Sequence, residues 1–246
     1  MNRNRRLSPI TVYNKLYEHF GPQGWWPTTR EGKISPTYHS LSYHRPDENE
    51  KYEICVGAIL TQNTSWKNVE KALVNLHNAN IFSAKEVCRL PVKMLAQLIR
   101  PSGYYNQKAE RLKSFSLYLQ NNYKGKCSGL LLKETDAARE ELLSLKGIGP
   151  ETADSILLYA GSHKTFVVDA YTRRIGKRLG WFSSDEYEEI RQMFHSAVPA
   201  SVEVYNEYHA LIVALAKDFC RKEPDCNGCP LILDCATGIR SSKKNS

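Results

Sequence analysis

The sequence contains no apolar run long enough to cross a lipid bilayer. Its first residues, 1–7, are rich in arginine and asparagine but have no apolar segment behind them, so they do not resemble a secretory signal. Strand-like patterns are equally scarce, since only the short run at 165–168 is β-branched. These absences argue against a membrane protein or a sheet protein, and they make an intracellular, reducing compartment the expectation.

The charge of the chain is basic. Its 246 residues include 34 Lys and Arg against 26 Asp and Glu, which gives a formal net charge of +8 and a sequence pI near 9.0. A basic surplus favours polyanionic partners, because each phosphate that Lys or Arg neutralises releases counterions. The charge alone does not separate a nucleic-acid-binding protein from any other basic protein. With 41% hydrophobic residues, the chain can form one large domain or two modest ones.

Apolar residues recur at helical spacing along most of the chain, which predicts an all-α fold. The segment 28–51 has no clear periodicity and contains several charges, so it is predicted to be a long surface loop. The predicted helices are 10–20, 53–61, 66–76, 92–99, 108–119, 137–145, 150–160, 170–179, 187–197 and 203–216.

Four of the seven cysteines lie in one short segment, with the spacing Cys220-x5-Cys226-x2-Cys229-x5-Cys235. In a reducing compartment such a cluster favours a metal site over disulfides. Zinc sites usually pair two C-x2-C knuckles across a longer gap. The compact loop therefore favours a [4Fe–4S] cluster, with zinc as the alternative.

A glycine-rich turn at 145–149 (LKGIG) joins two predicted helices. Gly147 and Gly149 allow backbone conformations that are closed to other residues, and they leave room for a partner to approach. Pro150 suits the first position of the next helix, whose amides would face an anion. Asp169, twenty residues beyond Gly149, stands where a helix N-cap belongs. An ordinary helix–helix turn and a plain capping residue are the alternatives.

Four segments carry a resemblance to a known family. The segments 145–154 (LKGIGPETAD) and 166–169 (FVVD) resemble the hairpin and aspartate signature of the endonuclease III superfamily of helix-hairpin-helix DNA glycosylases. The segments 59–64 (ILTQNT) and 100–109 (RPSGYYNQKA) are similar to two further parts of it. With Trp25-Trp26-Pro27, these segments look most like the bacterial type III 3-methyladenine DNA glycosylases.

The resemblance implies two helical subdomains that flank a DNA-binding cleft. One would be a helical barrel at 53–164 with the hairpin, and the other would combine 1–52 with 165–246. Endonuclease III-like proteins close their C-terminal part with an iron–sulfur loop that usually has six residues in its first gap, one more than here. The implied partner is double-stranded DNA with a damaged base, bound by a monomeric, cytoplasmic and nucleoid-associated protein.

The resemblance also implies roles for single residues. Asp169 would be the catalytic carboxylate, beside a sugar that gains positive charge as the glycosidic bond breaks. The damaged base must leave the helix stack, and Gln62 and Tyr104 would fill the gap. The hairpin residues expected at the DNA are Lys146, Gly147 and Gly149.

Glu151 indicates the type of reaction. Bifunctional members of the superfamily carry a lysine at the matching position, which forms a Schiff base and nicks the strand. A glutamate cannot do this, so the sequence favours a monofunctional enzyme that uses water. A displaced lysine, Lys146 or Lys108, is the alternative.

Aromatic residues indicate the substrate. Alkylated purines are electron-poor cations that bind well against aromatic faces. The sequence therefore predicts a monofunctional glycosylase of base excision repair acting on 3-methyladenine-like bases. The alternatives are a bifunctional glycosylase/AP lyase for oxidised pyrimidines, a non-catalytic DNA-binding protein, and a cluster-bearing protein unrelated to DNA. The resemblance to the type III glycosylases implies a base pocket, with core tryptophans as the alternative. Its expected residues are Trp25, Trp26, Pro27, Trp66 and Glu151.

Overall fold

The computed structural model describes residues 7–39 and 45–244, and in these ranges the chain is helical, with one isolated bridge between Thr28 and Thr37 in place of any strand. The prediction of an all-α fold is confirmed. None of the helices in these ranges combines the length and hydrophobicity that crossing a bilayer requires. The helices are α1 (Pro9–Phe20), α2 (Glu48–Thr61), α3 (Trp66–Asn78), α4 (Ala84–Arg89), α5 (Val92–Leu98), a 3₁₀ turn (Arg100–Ser102), α6 (Tyr105–Tyr123), α7 (Cys127–Leu131), α8 (Thr135–Leu143), α9 (Pro150–Ser155), a π-helical segment (Ile156–Ala160), α10 (Ala170–Leu179), α11 (Tyr187–Ala197), α12 (Val202–Asp218) and α13 (Ala236–Lys244).

The chain forms two compact units. The terminal unit consists of Met1–Trp25 with Lys164–Ser246, and the central unit is Trp26–His163. The later boundary lies within one residue of the division at 164/165 that the sequence suggests. The earlier one does not, because the described residues 26–39 and 45–52 group with the central unit instead of the terminal one.

Hydrogen bonds explain why the segment after Trp26 belongs with α2. Thr28 donates its hydroxyl to Glu50 Oε1 at 2.8 Å. Thr29 donates its amide and its hydroxyl to Glu53, with the hydroxyl 2.8 Å from Oε1. Part of the predicted loop at 28–51 is therefore fixed to the first turns of α2. Residues 40–44 lie outside the described ranges, and the loop prediction is wrong for residues 48–51, which are helical.

Helix α2 is the centre of the central unit and is buried from Ile54 to Leu60. It begins at Glu48, five residues before the predicted start. Asp47 accepts hydrogen bonds from the amides of Asn49 and Glu50, and Glu50 accepts one from the Asp47 amide. This reciprocal capping box satisfies amides that the helix leaves open, and it extends the helix into a polar segment.

The terminal unit is built around aromatic side chains. The ring of Phe166 stacks on that of Phe194 at 4.0 Å and contacts Tyr205 and Tyr208 edge-on. The run at 165–168 is thus buried and non-helical, and it does not pair as a strand. Helices α10 and α11 begin and end at the predicted residues.

Candidate active site

Asp169 caps the N-terminus of α10. Its Oδ1 accepts the backbone amide of Thr172 at 2.7 Å, as the sequence predicts for an N-cap. The second carboxylate oxygen, Oδ2, lies 3.5 Å from Nε2 of His209 on α12. The Asp169 side chain is 13% exposed and that of His209 is 6% exposed. One oxygen is thus committed to the helix and the other faces a buried imidazole.

The surroundings of Asp169 favour its ionised form. Burial by itself would raise the pKa of this carboxyl, but the His209 imidazole and the Thr172 amide outweigh it and hold the pKa below the ordinary value. The positive end of the α10 dipole acts in the same direction. Asp169 is therefore a carboxylate at neutral pH, able to stabilise a developing cation or to orient a water molecule.

Trp25 lies against the same histidine. The rings of Trp25 and His209 meet edge to face, with centroids 5.8 Å apart. Asn206 on α12 donates its side-chain amide to the Trp25 carbonyl at 2.9 Å, and Glu207 accepts the Gln23 amide at 2.6 Å. Helix α12 thus holds both the tryptophan segment and the partner of Asp169. The sequence did not indicate His209, because a single histidine in an apolar helix has no distinguishing spacing.

The other two tryptophans of the expected pocket form an aromatic cluster in the central unit. The rings of Trp26 and Trp66 meet at 5.2 Å and 89°, and Trp26 also contacts Tyr159 in the π-helical segment. A Cβ at Gly57 would lie 3.1 Å from the Trp26 ring, so this glycine makes room for it. Trp66 is half-buried and donates its indole N–H to Glu70. Of the expected pocket residues, the structure brings Trp26 and Trp66 into contact, while Pro27 is buried beside Trp26 in the chain.

The hairpin lies between α8 and α9. Gly147 has φ +89°, a conformation that favours glycine, and a Cβ there would lie 2.6 Å from the Arg111 side chain. Gly149 differs from the expectation: its φ is −94°, which any residue adopts, and a Cβ would contact nothing within 4 Å. The conformational argument therefore holds for Gly147 and is wrong for Gly149. Pro150 occupies the first helical position, as predicted, and Lys146 is exposed.

Gln62 is fixed to the hairpin. Its side-chain amide donates to the Gly147 carbonyl at 3.0 Å and to Thr152 Oγ1 at 2.9 Å. Its carbonyl accepts a hydrogen bond from the Arg111 guanidinium. The sequence motif singled out Gln62 but not these partners, which lie 49 to 90 residues away along the chain.

Gln62 and Tyr104 are called the wedge residues below, because both are expected to fill the gap that the flipped base leaves in the duplex. Tyr104 is 68% exposed and precedes α6 with φ +45°. A left-handed backbone is unusual for a bulky residue and is found where the surrounding structure imposes it. Glu151 is exposed in the first turn of α9. The displaced lysine Lys108 is buried, and its ammonium donates to two backbone carbonyls.

The four clustered cysteines line one small cavity, together with apolar side chains such as Ile175 and Leu231. Burial, and then the neighbouring thiols, raises the pKa of Cys229 to about 11. Arg178 donates to Cys220 Sγ at 3.0 Å and to the carbonyls of Arg221 and Lys222. Within the described ranges, no group of three or more His, Cys, Asp or Glu side chains is arranged to hold a single metal ion. Four sulfurs around an apolar cavity, with a guanidinium beside one of them, are a donor set that fits an iron–sulfur cluster.

Comparisons with known proteins agree with this arrangement. Residues 56–200 match the model of the HhH-GPD superfamily base excision DNA repair proteins. A candidate DNA repair glycosylase of Methanocaldococcus jannaschii, MJ1434, is 42% identical over 94% of this chain and 97% of its own length. Endonuclease III of Thermotoga maritima is 29% identical over 80% of this chain and 87% of its own length.

A solved structure is also similar. The 3-methyladenine DNA glycosylase of H. pylori, MagIII, bound to 1,N6-ethenoadenine, superposes with a TM-score of 0.69 at 29% identity. The match covers 86% of this chain and 98% of that one. The family model spans more than half of the sequence, and it includes both the hairpin and Asp169. The chain therefore belongs to the HhH-GPD superfamily of base excision DNA repair proteins and is a DNA glycosylase.

Proposed function

We propose that the enzyme excises alkylated purines of the 3-methyladenine type from duplex DNA by hydrolysis, and that it leaves the abasic strand intact. The observation that carries this proposal is Glu151, an exposed glutamate in the first turn after the hairpin, where bifunctional relatives carry their lysine. Without an amine at this position, no Schiff base forms there and water is the nucleophile.

Asp169 carries the chemistry in this proposal. Positive charge develops on the deoxyribose as the N-glycosidic bond lengthens, and a carboxylate stabilises it or orients the attacking water. His209 and the Thr172 amide favour the ionised form of Asp169. Alkylation already makes the purine a good leaving group, so no general acid is required. The single carboxylate is sufficient for this reaction.

The aromatic residues select the base. A cationic purine ring is attracted to aromatic faces by stacking and cation–π interaction. Trp25 and Trp66 are half-buried, whereas Trp26 and Pro27 are buried, and Trp26 packs against Trp66. Glu151 adds a negative charge that suits a cationic base. The similarity to MagIII, bound to a modified adenine, supports a purine substrate.

DNA contact is assigned to the hairpin and to two wedge residues. Lys146, Gly147 and Gly149 lie at an exposed turn where backbone amides and a positive charge suit a phosphate. Gln62 and Tyr104 occupy the gap that the flipped nucleotide leaves in the duplex. Gln62 would do so from a position fixed against the hairpin, and Tyr104 from an exposed turn.

The four cysteines, Cys220, Cys226, Cys229 and Cys235, would hold a [4Fe–4S] cluster. Bound there, the cluster would supply a cross-link that stabilises the C-terminal loop, and it takes no part in base release. The contacts from Arg178 to Cys220 and to the loop carbonyls support the same fold of the loop. Visible absorption and iron and sulfide analysis distinguish the cluster from zinc.

The similarity to endonuclease III of Thermotoga maritima favours a second candidate, a bifunctional glycosylase/AP lyase for oxidised pyrimidines. The exposed Lys146 would then supply the amine. Borohydride trapping on a duplex with thymine glycol separates the two candidates. A covalent protein–DNA adduct that disappears in Lys146→Met would replace the monofunctional proposal, whereas no adduct on any substrate supports it.

The test of specificity is release of free base from duplexes that each contain 3-methyladenine, 7-methylguanine, hypoxanthine or thymine glycol. We expect fastest release of 3-methyladenine. Preferential release of thymine glycol would contradict the aromatic-pocket argument, because that base is neither cationic nor a flat aromatic ring.

A further inference from the structure

Lys108, near the start of α6, is 1% exposed. Its Nζ donates to the carbonyl of Leu60 at 2.8 Å and to that of Ser102 at 2.7 Å. Burial, and then the nearby Arg111, lowers the pKa of Lys108 to about 8. A desolvated ammonium is costly, so its retention in a core calls for a specific role.

Each of the two acceptor carbonyls belongs to the residue two positions before a proposed wedge residue. Leu60 lies in the last turn of α2, two residues before Gln62. Ser102 ends the 3₁₀ turn, two residues before Tyr104. The last carbonyls of a helix have no intrahelical partner, so a single lysine can cap both segments at once. Through Lys108, the ends of these two segments are held a fixed distance apart.

Arg111, three residues further along α6, extends this connection. Its guanidinium donates to Gln62 Oε1, and its side chain fills the space that a Cβ on Gly147 would need. Residues at i and i+3 lie on the same face of a helix. One face of α6 therefore contacts the Gln62 segment, the Tyr104 segment and the hairpin.

Both wedge segments also have unusual backbone conformations. Asn63, the exposed residue after Gln62, has φ +54°, and Tyr104 has φ +45°. Such conformations persist only where neighbouring contacts fix them. Lys108 contacts both segments, through the carbonyls of Leu60 and Ser102.

We propose that Lys108 is a positioning residue that sets the spacing between the Gln62 and Tyr104 segments, so that both enter the DNA together. The inference rests on the proposed function, because Gln62 and Tyr104 are assigned as wedges there. It adds a residue that touches neither DNA nor base and yet controls how the duplex is opened.

Lys113 provides a matched control on the same helix. Its Nζ donates to the carbonyls of Val87, Cys88 and Leu90 at the end of α4. The chemistry is the same, a lysine that caps helix carbonyls, but the segment concerned carries no wedge residue. Lys108 is buried and Lys113 half-buried, so their effects on stability can differ. If Lys108 only stabilises the fold, folded Lys108→Met should retain the wedging signal, as Lys113→Met does.

The experiment uses a duplex with a tetrahydrofuran abasic analogue opposite 2-aminopurine, whose fluorescence rises when it loses its stacking. Binding is followed by anisotropy and wedging by fluorescence, with the intact protein. In Lys108→Met, we expect binding to weaken only slightly while most of the fluorescence rise is lost. On a paired lesion, the rate of base release falls about 10- to 100-fold with little change in KM, because the wedges are misplaced. Lys113→Met retains the fluorescence rise and the rate.

Two further variants make the outcome decisive. If Gln62→Ala and Tyr104→Ala do not reduce the fluorescence rise, the wedge assignment itself is wrong. If they do reduce it while Lys108→Met does not, the positioning role is wrong. Equal losses in Lys108→Met and Lys113→Met would also overturn it. If circular dichroism shows that Lys108→Met is unfolded, Lys108→Gln is tested in its place. Loss of the fluorescence rise in Lys108→Gln supports the positioning role, and its retention overturns it. The probe contains no damaged base, so the result does not depend on lesion specificity.

Discussion

The two units of this glycosylase hold the residues that we propose act in base excision by different means. In the terminal unit, Asp169 is controlled electrostatically, by His209 and by the start of α10. In the central unit, Gln62 and the turn before Tyr104 are held by hydrogen bonds to backbone carbonyls, through Lys108 and the hairpin. A carboxylate needs a correct charge state, whereas a wedge needs a correct place. Substitutions in the terminal unit should therefore change the rate of base release, whereas substitutions in the central unit should change how the protein binds and opens the duplex.

The largest effect is expected at Asp169, the proposed catalytic carboxylate. Asp169→Asn keeps an N-cap acceptor but removes the charge, so base release should fall about a thousandfold while duplex binding is retained. Asp47→Asn, at the N-cap of α2, is the matched control and should leave the rate unchanged. Single-turnover base release and anisotropy measure the two properties. A loss of binding in Asp169→Asn equal to the loss of rate would contradict the comparison.

Substitutions of the two hairpin glycines should separate effects on stability from effects on DNA binding. Gly147→Ala introduces strain at φ +89° and a contact with Arg111, which should cost about 1 to 3 kcal/mol of stability and weaken DNA binding. Gly149→Ala has room for its Cβ, so its stability should be unchanged. Denaturant unfolding and duplex binding measure both. If Gly149→Ala also binds as tightly as the wild type, the proposed phosphate contact at Gly149 is wrong.

Glu53 predicts a pH dependence of stability. Burial, only partly offset by the Thr29 hydrogen bonds, raises the pKa of Glu53 to about 7. The folded state therefore binds a proton that the unfolded state has released between about pH 4.5 and 7, and stability falls as the pH rises through this window. Glu53→Gln should stabilise the protein by about 1 to 3 kcal/mol at pH 8 and have little effect at pH 4.

Urea unfolding at both pH values measures the Glu53 effect. Glu110→Gln, at an exposed glutamate on α6, is the control and should show no such difference. An equal effect of Glu53→Gln at pH 4 and pH 8 would show that ionisation is not its cause.

The smallest effect is expected at His209. Its imidazole helps to hold the pKa of Asp169 below the ordinary value, so His209→Gln should raise that pKa. The acid limb of kcat/KM, where Asp169 becomes protonated, then moves to higher pH, while the rate at neutral pH changes less. Asn206→Ala, which loses the contact to Trp25 but not the imidazole, should leave this limb in place. If the acid limb does not move in His209→Gln, His209 does not lower the pKa of Asp169.

The sequence predicts much of this arrangement because some signals are local. Helical periodicity predicted most helices, and α10 and α11 match at both ends. The short helices α4 and α7 were missed, since five or six residues give too little periodicity, although Ser83 and Glu86 form a capping box that was detectable. Helix α13 was also missed. The N-cap role of Asp169 was predicted because this residue directly precedes the predicted helix 170–179.

What the sequence could not predict depends on distant contacts. Gln62 meets Arg111 and Thr152, and Asp169 meets His209, across 40 or more residues each. The attachment of residues 26–39 to α2 relies on Glu50 and Glu53, whose acceptor roles have no local pattern. The roles of the two hairpin glycines differ because only one has a positive φ.

The measurement that tests the central claim most directly is base release from a 3-methyladenine duplex, followed on the same sample by analysis of the product strand before and after alkali. We expect free 3-methyladenine and a product strand that is cleaved only after alkali. Asp169→Asn should release no base and leave a strand that alkali does not cleave. A strand nicked by the enzyme without alkali, or base release that persists in Asp169→Asn, would contradict it.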